Sequence, residues 1–151
     1  MPSFALERLV PAPVERVFGL SLDVGVHVAS MRAHDERIVG GVRAGRMAEG
    51  ETVTWSARHF GIRFRMTSIV FDVDAPHRFS DRQVRGPFAL FRHRHLFEAI
   101  PEGTRMRDEI EFRSPFGPIG RIVDAAVMRR HLVRLIEDRN DALVALAVAE
   151  G

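Results

Sequence analysis

The sequence predicts an α+β protein: a curved antiparallel sheet of about seven strands wrapped on a long C-terminal helix, with two short helices after strand 1. Three observations lead there. Apolar residues near the N-terminus recur first with a strand period and then with a helical one. The period is then two from Arg37 to Arg113, and after Gly120 it is helical to the C-terminus. At 151 residues, with 46% hydrophobic and 28% charged residues, the chain is expected to form one domain over residues 1–151 with a core of its own.

Ser3 to Val10 alternates, with Phe4, Leu6, Arg8 and Val10 on one side, and reads as the first strand. Pro11-Ala12-Pro13 ends it. Pro13 suits the first position of a helix, because its φ is already helical and its missing N–H would have had no partner. Val14, Val17, Phe18 and Leu22 follow at helical spacing, and Asp23 is a candidate cap for a second short helix reaching Met31. Between Arg37 and Arg113, the breaks Gly40-Gly41, Ala48-Glu49-Gly50, Gly61, Ala75-Pro76, Gly86-Pro87 and Pro101-Glu102-Gly103 cut the alternation into about six strands, an antiparallel meander. Thr104, Met106, Asp108, Ile110 and Phe112 share one face of the last strand and Arg105, Arg107, Glu109, Glu111 and Arg113 the other, so the first set faces inward. Ser114 to Gly120 breaks the pattern. The helix beyond carries a stripe of Met128, Leu132, Leu135, Leu143 and Leu146 opposite Arg130, Arg134, Glu137 and Asp141. Ile119, Ile122 and Ala126 lie off that stripe, which predicts a kink or a separate first turn near Asp124 to Met128. Two short helices cannot cover the concave face of so large a sheet, so the long helix must lie across it.

Composition removes several function classes. Cysteine is absent, which excludes disulfides, thiolate nucleophiles and iron–sulfur ligation. Lysine and tyrosine are absent too, which removes Schiff-base chemistry and phenolic proton donors. The formal net charge is only +2 and the arginines are dispersed, without the aromatic interleaving of single-strand binders, so nucleic acid is not expected as a partner. The longest nearly uncharged stretch, Gly19 to Met31, is too short to span a bilayer, and Met1-Pro2-Ser3 opens no secretory signal. A cytoplasmic monomer or homodimer is expected.

Candidate chemistry centres on Phe91-Arg92-His93-Arg94-His95-Leu96-Phe97-Glu98. On a strand, His93, His95 and Phe97 share a face with Phe91 while the charged Arg92, Arg94 and Glu98 point away, so the histidines face inward. If Ile100 to Gly103 forms the hairpin, Ala99 pairs with Thr104, His95 lies opposite Asp108 and His93 opposite Ile110; a loop two residues shorter would set Asp108 opposite Phe97. Asp81 or Gln83 of the preceding strand, with Phe79, are possible neighbours. A buried carboxylate needs a donor, and the histidines are the nearest. The cluster is therefore open to three readings: a structural pair closing a cavity, a recogniser of a guest's polar group, or an acid–base pair with His95 as base and Asp108 fixing its tautomer. A cupin-type metal site fails on spacing, since Glu98 comes too soon after His95 and points outward, and Pro115-Phe116-Gly117 leads into a helix. No metal and no cofactor are expected. Trp55 reads as cavity wall or core, with His59 on the same face of its strand; Phe64 and Met66 continue an apolar face, Phe116 is a candidate portal residue, and His131 reads as a solvated flank.

The order of these motifs resembles the START-like, helix-grip superfamily known as SRPBCC, and within it the bacterial polyketide cyclase/dehydrase-like and ligand-binding proteins. The resemblance rests on Phe4 to Val10 running into Pro11-Ala12-Pro13-Val14-Glu15-Arg16-Val17-Phe18, on Arg78-Phe79 with Gln83-Val84-Arg85-Gly86-Pro87-Phe88, on His93 to Phe97, on Met106 to Ile110, and on Ser114-Pro115-Phe116-Gly117. It implies a seven-stranded sheet gripping the last helix, with a cavity for a lipid, quinone, polyketide or similar apolar molecule. It transfers no catalytic signature. The expected function is binding of a small apolar or aromatic metabolite between sheet and helix, touched by Trp55, Phe64, Met66, Phe79, Gln83, Phe91, Phe97, Met106, Phe112, Met128, Leu132 and Leu135, and oriented by His93, His95 and Asp108. The rivals are a cyclase or dehydratase using His95 and Asp108, and an interaction module using Arg92, Arg94, Arg105, Arg107 and Arg113.

Overall fold

The structure, a computed structural model, describes residues 3–149. Strand β1 (Ser3–Val10) leads into helices α1 (Val14–Leu22) and α2 (Val24–Ser30) and a short 3-10 turn, Arg32–His34. The meander follows as β2 (Arg37–Gly41), β3 (Thr52–His59), β4 (Ile62–Asp74), β5 (Arg78–Arg85), β6 (Leu90–Ile100) and β7 (Gly103–Arg113). Helix α3 (Gly117–Val123), a π-turn at Asp124–Met128 and α4 (Arg129–Ala149) complete the chain. The seven strands form one antiparallel sheet in the order β1-β7-β6-β5-β4-β3-β2, so each meander strand pairs with its sequence neighbour and β1 closes against β7. This is the architecture that the periodicity predicts.

Local chemistry explains the joints. Pro13 stands one residue outside the expected place: its ψ of 147° is extended, which makes it the N-cap of α1 and Val14 the first helical residue. Asp23 accepts the Val26 N–H at 3.0 Å and starts α2. In the β6–β7 hairpin Ile100 pairs with Gly103 around Pro101-Glu102, and Ala99 with Thr104. Gly103 has φ 137°, and a Cβ there would lie 2.3 Å from the Val10 carbonyl oxygen, so no other residue fits this turn without displacing β1. The register that results sets His95 opposite Asp108 and His93 opposite Ile110. Register shifts between Ile38 and Gly40, Thr67 and Ser68, and Phe71 and Asp74 add local twist and help the sheet curl round the helix.

Two apolar cores hold sheet and helices together. One joins α1 to the middle of the sheet through Val17, Phe18, Phe79, Phe97 and Met106 and reaches Leu143 and Ala147 of α4. The other packs Leu132 and Ile136 of α4 on Phe4, Ile110 and Phe112. The irregularity expected near Asp124 is the π-turn, and a buried bond accounts for it. Asp124 accepts from the Ser114 N–H at 3.2 Å and the Ser114 Oγ–H at 2.5 Å, tying the helix to the end of β7. Among the described residues no helix is long and apolar enough to cross a membrane. Replacing Asp124 with alanine leaves two buried Ser114 donors unpaired and is expected to lower stability by about 1–3 kcal/mol, measured by urea denaturation.

Candidate functional site

Between the sheet and the helices lies a cavity of about 480 Å³. Trp55 and Ala57 of β3, Phe64 and Met66 of β4, Phe79 of β5 and Phe91 of β6 face it from the sheet, and Met128, Leu132 and Leu135 from the helix. Phe60, Phe116, Ile119 and Val123 line its mouth while remaining exposed, Phe116 at 80%. His27 stacks on Trp55 with ring centroids 4.3 Å apart, and its Nδ1 bonds the buried Glu36 carboxyl at 2.6 Å.

One end of the cavity is polar, and its groups form a belt between the two cores. Asp108, fully buried, accepts from His93 Nε2 (2.7 Å) and Arg139 Nη1 (3.0 Å) on Oδ1, and from Asn140 Nδ2 (2.9 Å) on Oδ2. His95 Nε2–H donates to Asp81 Oδ2 at 2.7 Å, and His95 Nδ1 accepts from Arg139 Nη2 at 3.4 Å. Carboxylates only accept, so both rings carry their proton on Nε2. His95 thus has both nitrogens engaged, while His93 Nδ1 is an acceptor without a partner among the described residues. The rings stack on one another at 3.6 Å, and Phe79 stacks on His95 at 4.1 Å.

The charge states follow from these contacts. Burial alone would raise the Asp108 carboxyl, but Arg139 and the His93 hydrogen bond outweigh it and hold Asp108 far below the usual carboxylate range. Burial likewise opposes ionisation of Asp81, and the His95 hydrogen bond with the neighbouring rings brings it below its ordinary value. His95 is pushed down to about 3, chiefly by burial and then by His93, against the pull of Asp81. It is neutral at physiological pH.

A second histidine group closes the cavity near its mouth. His59 Nδ1 and His131 Nε2 lie 3.0 Å apart and share one proton bond, and His34 stacks on His59 at 5.0 Å. Burial, then His131 and His34, lower His59 to about 4.

The structure brings together most of the residues that sequence parity selects, with three corrections. First, Asp108 does not orient His95. The two are opposite in register, yet His95 Nδ1 is 3.6 Å from Asp108 Oδ1, and Asp108 bonds His93 on the diagonal because Arg139 takes the space between. Second, Phe97, Met106 and Phe112 are packed core, and Asp108 sits behind the wall. Phe18 of α1 meets Phe97 edge-on at 5.4 Å, and Phe4 and Phe88 pack on Phe112, so no space remains beside them. Gln83 also leaves the wall: it clamps the β5–β6 turn by two bonds to the Phe88 backbone. Third, His131 faces the cavity rather than solvent. Arg139, Asn140, Glu36 and His27 were not selected from the sequence. Arg139 had a signal: the stripe Met128, Leu132, Leu135, Leu143 skips one turn, and Arg139 fills that gap.

Asp81, His93 and His95 each present a ligand atom within 4.8 Å of the others. The set does not fit a divalent cation, because His95 has no free lone pair and the Arg139 guanidinium stands against it. On the outer face the arginines pair across strands, Arg92 with Glu111, Arg94 with Glu109, Arg105 with Glu98 and Arg107 with Glu7.

A curved sheet gripping a terminal helix over a hollow, mainly apolar interior defines a helix-grip protein. The chain belongs to the polyketide cyclase/dehydrase and lipid transport family, whose profile matches residues 1–148. No curated protein matches it in sequence. Among solved structures it is similar to TTHA0849 from Thermus thermophilus, at 19% identity over 99% of each chain with a TM-score of 0.80. It is also similar to protein CV1439 from Chromobacterium violaceum (14% identity, 97% of this chain and 98% of that one, TM-score 0.72). The major latex-like protein 151 of Panax ginseng shares the fold at 11% identity over 97% of each chain, with a TM-score of 0.69.

Two measurements probe the belt. Asp108→Asn leaves Arg139 as an uncompensated buried cation and is expected to cost about 3–5 kcal/mol in denaturant unfolding. Because His95 and His59 have folded values near 3 and 4, below the ordinary 6.5, the unfolded chain takes up protons first on acidification. Their contribution is complete above about pH 6.5 and is lost as the pH falls towards 3, so the urea midpoint should begin to decline near pH 6.5, with the carboxylates adding to the loss below about pH 5.

Proposed function

We propose that the chain binds a small apolar or aromatic molecule of the lipid, quinone or polyketide kind, its body against Trp55, Phe64, Met66 and Leu132 and its polar group at Asp81 and His93. The observation that carries this reading is the cavity itself: about 480 Å³, a common size for a small-molecule site, with an apolar wall and unused acceptors at one end. Membership of a family described by both cyclisation and lipid transport supports ligand binding in general. Binding is favoured over catalysis by His95, since a general base there would have to give up the Arg139 donor that occupies its lone pair. The outer arginines are matched by glutamates, which leaves little unpaired charge for an interaction module.

Trp55 is the one tryptophan in the chain and lines the cavity, so its fluorescence reports occupancy. Native mass spectrometry of the purified protein should show a co-purifying or added apolar guest at one per chain. Ala57→Phe fills the space beside Trp55 and is expected to weaken that binding by at least about 10-fold, while thermal unfolding stays within a few degrees of the parent. Unaltered binding in a folded Ala57→Phe variant would place the guest elsewhere.

A further inference from the structure

The ionisable groups of the cavity wall are unbalanced. Besides five histidines, three carboxyl side chains line it, Asp23, Glu36 and Asp81, against one guanidinium, Arg139. Arg139 is already matched by Asp108 at 3.0 Å, behind the wall. Asp23 is occupied by the first turn of α2, and Glu36 by His27. Asp81 differs: its hydrogen-bond partner is the neutral His95 ring, and among the described residues no arginine forms an ion pair with it. Its side chain keeps 23% of its surface open, and it lines the cavity. The carboxylate is ionised and set in a medium of low polarity with no arginine against it, so a guest that brings a cation to it gains a strong attraction.

Two further features have the same sign. His93 Nδ1, the one nitrogen of the histidine pair without a partner among the described residues, is an acceptor when Nε2 carries the ring's proton, and invites a donor. The wall also holds the π systems of Trp55, backed by His27, and of Phe64, and aromatic faces attract cations. A guest ending in a carboxylate would meet Asp81 at close range in a medium of low polarity, with the local guanidinium already engaged.

We propose that the guest is a hydrophobic amine, its ammonium group set against Asp81 and its body along the aromatic wall, and that carboxylate-headed lipids are excluded. This rests on the cavity-binding reading and adds the charge of the ligand to it. Asp81 is its counter-ion and His93 a second acceptor for an ammonium N–H.

Decylamine, 1-decanol and decanoate share one apolar body and differ in head charge at about pH 7.5. Each is titrated below its micelle concentration against Trp55 fluorescence, with native mass spectrometry counting bound molecules. The expected order is amine, alcohol, carboxylate, with the amine at least about 10-fold tighter than decanoate. Asp81→Asn, checked for folding by circular dichroism, should bring amine and carboxylate within about 3-fold of one another. Decanoate binding as tightly as the amine overturns the inference and leaves cavity binding standing. An amine preference that survives Asp81→Asn overturns the role of Asp81. Failure of all three to bind overturns the cavity reading and this inference with it. If Asp81→Asn does not fold, the ranking on the parent protein decides.

Discussion

The buried bond between Arg139 and Asp108 sets the position of the long helix on the sheet. Removing two charges from water costs several kcal/mol each, and the cost is offset only where every donor and acceptor is met. Asp108 meets it with three donors, from β6 and from two adjacent residues of α4. An apolar helix stripe could slide along a greased sheet by a turn at modest cost, whereas this contact cannot be displaced without stranding a charge. The helix therefore has one axial position, and the two apolar cores form on either side of it.

The hollow follows from the same constraint. Phe18 of α1 and the Leu143 end of α4 fill the concavity beyond the belt, and Leu132 with Ile136 fills the part near β1 and β7. What is left lies under β3, β4 and β5, where the His27 ring of α2 covers Trp55 and Phe64 and Met66 face the space. A belt of hydrogen-bonded rings and carboxylates is stiff, since each member is held by another, and it prevents the helix from settling into that space. The Phe79–His95–His93 stack is part of the same scaffold, and it holds Asp81 at the cavity wall.

The related structures share this architecture at 11–19% identity, so the fold tolerates nearly complete replacement of its side chains. What a member does is then decided by the few polar groups that face the hollow. Here these are carboxyl groups and histidines, an arrangement that says more about a guest's charge than about its shape. The outer face carries cross-strand ion pairs, which keep the edges and surface soluble and contribute little to stability one by one.

Much of this was readable from the chain. A period of two forces inward and outward residues apart, so Thr104, Met106, Asp108, Ile110 and Phe112 were assigned to the interior and are buried. A hairpin of known length sets register, which placed His95 opposite Asp108. Periodicity also marked the break at Asp124 to Met128. It could not say which inward residues face a void and which face a neighbour, because that depends on where α1 and α4 come to rest; hence Phe97, Met106 and Phe112 proved to be core. Nor could it assign partners within the belt. Parity constrains a side chain to a face, but hydrogen bonding depends on distances of a few tenths of an ångström between elements remote in sequence. Arg139 lies 31 residues from Asp108 and 44 from His95. The sequence alone determined the order of elements and the composition of the inner face. Only the packed chain decided that Asp108 serves His93 and Arg139, that His95 serves Asp81, and that Asp81 lines the cavity with an imidazole as its hydrogen-bond partner.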